Sequence, residues 1–298
     1  MATIPRSVES TRTPRASRYL SPLVNVVGQL AQRPQSLLGT IIVLIFVVLA
    51  IFGPSVAPYP FDEIIRDAAR QPPSQEFPFG TDRLGRDVFS RVIWGAREII
   101  GIPGIATAIA VILGTSIGLF IGYYGGWVDE IVSRALDSLL AIPALVLALV
   151  MLATLGPSPV GIIIVIVLLY VPIVTRVIRS ATLNIKASGF IEAARLRGES
   201  TSYILFREML PSVLPALTVE AALRFSYAIF LTASLGFLGL GVQPPSPDWG
   251  RMVNEARVGY DRAPWALWFP AGAIAMLVIG VNLMADGLRR VFRYEGQV

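Results

Sequence analysis

Residues 192–211, EAARLRGESTSYILFREMLP, lie between two long apolar runs and decide how the rest of the chain is read. Ala187 to Arg197 has the pattern of a short helix, with Ser188 placed to cap its start. Gly198 stands where a helix ends on a left-handed residue. Ser200 or Thr201 can cap a second short helix carrying Tyr203, Leu205, Phe206, Met209 and Leu210. Pro211 is expected to break that helix just where apolar sequence resumes. The stretch therefore reads as a helix-turn-helix elbow of mixed charge, set between two membrane spans.

The bulk properties support that setting. The 298 residues are 54% hydrophobic and only 15% charged, whereas a soluble domain carries about 25% charged residues. The shortfall is concentrated in runs of roughly 20 apolar residues, long enough to cross a bilayer as helices. The expected fold class is an all-α polytopic membrane protein. Net charge is +5, but the basic residues gather between the spans, as the positive-inside rule requires. Membrane lipid, not nucleic acid, is the surrounding this implies.

Missing residue types exclude whole classes of chemistry. Cysteine and histidine are both absent, which removes disulfides, thiol chemistry, His-dependent triads and imidazole metal ligands. Lys186 is the only lysine and follows Ile185, so no phosphate-binding G-x-x-x-x-G-K-[ST] loop exists. No metal site and no catalytic set is expected. If nucleotide drives this protein, another chain binds it.

Residues 1–35 form a polar tail with Arg6, Arg12, Arg15, Arg18 and Arg33 against Glu9 alone. An Arg- and Ser-rich start also fits a mitochondrial transit peptide, but a cytosolic tail fits better with the spans that follow. Residues 36–298 form the transmembrane domain. Spans are expected at about 36–57, 99–124, 160–178, 213–240 and 265–288, with a third span that follows a charged interfacial lead-in over 127–134, ends near 155 and carries Pro143 as a kink. Gly114, Gly118 and Gly122, at every fourth position, would let another helix approach closely. Counting basic residues puts both termini and the loop 187–211 in the cytosol, with about six spans between the ends. Loops 58–98 and 241–264 then face outward.

The stretch resembles the EAA loop of ABC importer permeases, through Glu192-Ala193-Ala194, Gly198 and the pair Leu210-Pro211. The plain alternative is an ordinary charged loop. Two further stretches narrow the resemblance. Residues 77–97, FPFGTDRLGRDVFSRVIWGAR, read as a turn and cap at Gly80, Thr81 and Asp82 followed by an amphipathic helix bearing Val88, Phe89, Val92 and Ile93. They are similar to the signature after the first span in the C-type permease of dipeptide, oligopeptide and nickel importers. Residues 235–250, LGFLGLGVQPPSPDWG, resemble that family's LSFLGLG stretch and its proline-rich run ending in WG. Pro264-Trp265, Asn282 and Asp286 to Arg289 add a further match. Gly236, Glu208 and Thr232 depart from the family's usual residues.

The resemblance implies an inner-membrane permease of a bacterium or archaeon that pairs with a second, similar permease. Two cytosolic ATPase subunits, carrying ATP and Mg, would drive it, and an extracytoplasmic substrate-binding protein would deliver di- or oligopeptides. Nickel chelates, oligosaccharides and other small solutes are the alternatives within the family. It assigns ATPase coupling to Glu192, Ala193, Ala194, Gly198, Leu210 and Pro211. Phe79, Asp82, Arg86, Asp87, Trp249 and Trp265 are candidates for the outer, binding-protein-facing surface, the two tryptophans as interfacial anchors. Glu220 and Arg224, the only acid and base in the fifth span, lie four apart on one helical face and are candidates for the pathway, with Thr232 toward its outer end. A secondary transporter or channel is the rival from another class. It is disfavoured by the lack of a visible inverted repeat and of intramembrane acids suited to ion coupling.

Overall fold

The computed structural model describes residues 33–295 and is helical throughout, with an isolated Thr81–Asp87 bridge as the only β pairing among the described residues. Most of the N-terminal tail lies outside them. Helix α1 spans Pro34–Val56, α2 Val88–Tyr124, α3 Gly126–Leu140 and α4 Ala144–Leu155. Helix α5 spans Pro159–Lys186, α6 Gly189–Leu196, α7 Thr201–Phe237, α8 Trp249–Arg257 and α9 Trp265–Glu295. Helices α1, α2, α5, α7 and α9 are each long and apolar enough to cross a membrane.

The third expected span departs from the sequence reading. Helices α3 and α4 meet at 84°, so they make a sixth crossing only if the bent pair counts as one. Pro143 has no N–H to give and biases Ile142 away from helical backbone, which ends α3 at Leu140. Helix α3 also carries Asp129, Glu130, Arg134 and Asp137, a charge load that lipid would not accept along a straight span.

The second span also begins earlier than hydropathy indicates. The amphipathic stretch from Val88 and the apolar run from Ile99 form one helix. Its start is capped by Asp87, whose Oδ2 accepts from Ser90 N–H at 2.7 Å. The turn predicted at Gly80–Asp82 is real, but its Asp82 is not the cap. Asp82 Oδ1 accepts from Leu84 and Arg86 N–H instead.

Helices α2 and α5 form the closest pairing. A Cβ on Gly114 would fall 2.7 Å from Val174 Cβ, one on Gly118 2.8 Å from Thr175 O, and one on Gly122 2.8 Å from Thr182 Cβ. The four-residue spacing thus does what small residues do in lipid, bringing two backbones into contact. Helix α1 packs between α9 and α2. Three apolar clusters result: one around Phe46, Val92, Trp249 and Leu277, one around Ala148, Ile162, Ile166 and Tyr170, and one around Leu119, Ile178, Ile191 and Met209.

Gly118→Leu must push α5 away, because the new side chain meets Thr175 O and Arg179 N rather than a flexible tip. Overpacking of this kind destabilises by about 1–3 kcal/mol. The purified variant should unfold at a lower temperature than wild type in detergent, and an unchanged temperature would refute the close-packed seam.

Candidate functional site

The elbow is built as its sequence suggests up to Ser200 and differently beyond it. Helix α6 ends in a Schellman turn: Glu199 N–H reaches Ala194 O at 3.2 Å and Gly198 N–H reaches Arg195 O at 2.9 Å. Gly198 has φ +73 and open space around it, so the demand on this residue is backbone conformation alone. Ser188 occupies the cap position of α6 without a side-chain cap; its Oγ donates to Ile185 O. Ser200 caps the next helix, its Oγ accepting from Tyr203 N–H at 3.3 Å.

Pro211 does not break that next helix. Residues Ile204–Met209 form a π-helical turn, and the helix runs on through Pro211 to Phe237. A widened turn relieves the clash between a proline ring and the carbonyl four residues back. The second half of the elbow is therefore the foot of α7. Arg197 ties the two halves together through Glu199 (3.4 Å) and Glu208 (3.3 Å), which gives the unusual Glu208 a partner.

The family triplet divides by face. Ala194 is buried with Ile191 against Ile204, Leu205 and Met209, so it seats the helix. Glu192 and Ala193 point away from the chain. Sequence reasoning missed Leu196, which is 83% exposed. The signal was present: five positions past Ile191 on a helix is nearly the opposite face, so an apolar Leu196 sits where a polar residue is expected.

Within the spans, Arg224 Nε lies 2.8 Å from Glu220 Oε1. The Arg224 guanidinium also faces the rings of Tyr227 and Tyr170, at 5.0 and 5.7 Å from their centroids. Tyr227 is exposed on the chain's surface. Thr232 is enclosed at 1% exposure, so it lines no open surface of this chain. Leu217, Leu231 and Leu235 pack into the two inner clusters.

Of the outer candidates, Arg86, Asp87 and Trp249 are buried, and Phe79, Asp82 and Trp265 are half-buried. Trp249 is fully buried and donates its indole N–H to Val92 O at 3.0 Å. Trp265 donates to Thr81 O at 2.9 Å. Phe79 stacks on Phe269 with centroids 3.8 Å apart. Arg86 bridges Asp82 (2.6 Å) and Glu255 (2.9 Å), while Asp87 caps α2. Phe79, Arg86, Trp249 and Trp265 clamp the 77–97 segment onto α8 and α9, because an indole N–H or a guanidinium removed from water needs a fixed acceptor. Any outward contact surface falls to exposed neighbours such as Glu76, Leu84 and Val258.

Residues 114–293 match the family model described as the binding-protein-dependent transport system inner membrane component. The chain belongs to that family. Residues 21–73 match the N-terminal TM domain of oligopeptide transport permease C. The dipeptide transport system permease protein DppC of Alkalihalophilus pseudofirmus is 39% identical over 94% of this chain and 93% of its own length. The di/tripeptide permease protein DppC of Pseudomonas aeruginosa is 39% identical over 91% of each chain. The glutathione transport system permease protein GsiD of Escherichia coli is 40% identical over 84% of this chain and 83% of its own. In fold, the chain is similar to the MetNI methionine ABC transporter in an inward-facing conformation, with TM-score 0.55 and 20% identity over 68% of this chain and 95% of the other. This permease is a C-type transport subunit, and the ATPase is a separate subunit of such systems.

One departure from the family pattern has a structural counterpart. Asp248 caps α8 by accepting from Arg251 N–H at 2.8 Å, and any side chain on Gly236 would overlap its carboxylate. Burial pushes the Asp248 carboxyl up to about 6. Burial also pushes Glu255 up, but Arg86 and Arg251 outweigh it and hold that group below its usual value. The raised value means that the native state holds the Asp248 proton more tightly than the unfolded chain does. Its contribution to stability falls as pH rises from about 4 to about 6 and stays low above that, by up to about 3 kcal/mol. Asp248→Asn keeps the cap acceptor and removes the charge. It should unfold at a higher temperature than wild type at pH 7.5, with the gap closing toward pH 4.5; a gap independent of pH would refute the assignment.

Proposed function

We propose that this permease forms, with a second homologous permease, the translocation pathway of a binding-protein-dependent ATP-driven importer for di- and oligopeptides. The observation that carries the substrate class is near-full-length similarity to permeases named for dipeptides and di/tripeptides, at 39% identity. Glutathione, named for the third relative, is itself a tripeptide. In this reading two ATPase subunits hold ATP and Mg, and an extracytoplasmic binding protein delivers the peptide. The chain resides in a bacterial or archaeal inner membrane with both termini cytosolic. The reconstituted importer with its binding protein should accumulate labelled dipeptides on ATP addition. Uptake of nickel chelates or oligosaccharides with no peptide uptake would overturn the substrate class.

The elbow supports a coupling role because α6 presents Glu192, Ala193 and Leu196 outward while Ile191 and Ala194 fix it to the membrane bundle. Gly198→Val strains a left-handed position by an amount on the order of 1–2 kcal/mol. Gly198→Val, Glu192→Ala and Leu196→Asp should all insert normally, yet lose ATPase copurification, substrate-stimulated hydrolysis and transport together. Wild-type transport by all three would remove the elbow from coupling. A cysteine at Glu192 should react with an impermeant reagent only in permeabilised cells and one at Val258 in intact cells, and the reverse pattern inverts the topology.

The intramembrane pair supports a role on the pathway or at the partner interface. An unpartnered Arg near mid-membrane costs about 2.5–3.5 kcal/mol on insertion scales, so Glu220, Tyr227 and Tyr170 keep it tolerable. Arg224→Leu should lower transport more than assembly. The double variant Arg224→Leu with Glu220→Leu should restore assembly without transport, whereas full transport would make the pair purely structural.

A further inference from the structure

Arg224 stands midway along the spanning part of α7, and Tyr170 near the middle of α5. Glu220 engages one corner of the guanidinium, through Arg224 Nε at 2.8 Å. The charge also faces the rings of Tyr170 and Tyr227, a contact that uses up no N–H donor. Nη1 and Nη2 therefore keep theirs, and no group among the described residues accepts from either. Nor are these two atoms sealed off: the enclosed atoms of the pair are Nε and Glu220 Oε1, which face each other. The Arg224 side chain keeps 15% of its surface exposed, and Tyr227 beside it keeps 53%. The outer edge of the guanidinium is thus reachable from outside this chain.

Tyr170 also lines a cleft with Pro143 and Ala144, at the break between α3 and α4. The free edge accordingly lies at mid-membrane, near the joint where the bundle bends most easily. Two parallel donors in one plane fit the two oxygens of a carboxylate better than any other acceptor. A peptide importer meets side chains of every kind, but each unmodified peptide brings one C-terminal carboxylate. Glu220 leaves the pair neutral overall, which suits a zwitterion. In a dipeptide the ammonium lies within about 7 Å of the carboxylate, close enough for Glu220 to answer it.

We propose that Arg224 binds the C-terminal carboxylate of the peptide in transit through Nη1 and Nη2, while Glu220 holds Nε and fixes the guanidinium. The inference rests on the peptide-importer reading above, and it names the group by which the pathway accepts peptides whatever their side chains.

The test uses the intact importer in proteoliposomes with ATP, and its binding protein saturated with labelled dialanine or with dialanine amide. Wild type should move the acid faster than the amide by about tenfold, the scale of one charge-assisted contact. Arg224→Gln should move the two at equal rates. The readout is a ratio, so it holds even where fewer complexes assemble. If Arg224→Gln does not assemble at all, the double variant Arg224→Gln with Glu220→Gln leaves no unpaired charge and must lose the preference too. Equal rates in wild type overturn the proposal, as does an acid preference that survives in either variant; the importer reading then stands, because peptide still enters. Uptake of neither form by wild type overturns the importer reading and this inference with it.

Discussion

The backbone contact between α2 and α5 is the constraint on which the rest of this permease depends. Inside lipid there is no hydrophobic gain from pressing two apolar helices together, so close packing and polar contacts must hold them. Gly114, Gly118 and Gly122 give α2 a flat face, and Val174, Thr175, Ile178 and Thr182 of α5 fill it. Helix α5 ends at Lys186, and α6 begins three residues later. Ile191 and Ala194 of α6 share a cluster with Leu119 of α2 and with Val174 and Ile178 of α5. A force applied to the elbow therefore meets α2 and α5 as one body.

Flexibility is placed beside that body. Helix α3 lies along the lower part of α5, held by Arg176 to Asp137 and by a two-point Arg179–Asp129 pair with one contact at 2.6 Å. Beyond it the chain turns by 84° at Ala141–Pro143. The other irregular point is the π-helical turn below Pro211, between the elbow and the fifth span. Broken helices and π turns are where long helices change direction most easily. Their position next to the rigid pair suits the rocking of one bundle against another that alternating access requires.

What the sequence made legible follows from how local each cause is. Five of the spans, the glycine seam, the left-handed Gly198 and the Glu220–Arg224 pair rest on composition or on spacing within one helix, and their existence was readable. The helix through Pro211 was not, because proline reads as a breaker unless the neighbouring turn widens, and nothing in ILFREM announces a π turn. The inward burial of Trp249, Trp265 and Arg86 was also hidden. Tryptophans at a span end read as interfacial anchors. Only the fold brings Val92 O, Thr81 O and Glu255 within reach of their donors. Membrane sequences are hard to read at these points because an apolar ring serves equally well facing lipid, a partner or its own chain.

Two buried arginines show how the same side chain is handled at two depths. Arg91, in the first turn of α2, is 2% exposed and stands 3.8 Å from Asp82 beside further arginines. Arg224 has one acid a turn away and two tyrosine faces. A cation over an aromatic face is stabilised by roughly 2 kcal/mol when desolvated, comparable to the cost of the charge at that depth. The aromatic faces leave the remaining Arg224 N–H donors without acceptors, and hydrocarbon offers none. The surface of α7 around Tyr227 therefore needs a polar or protein neighbour, and no other helix of this chain covers it among the described residues. Lipid cannot provide that neighbour. In the proposed importer, a second permease helix or a water-filled path would provide it.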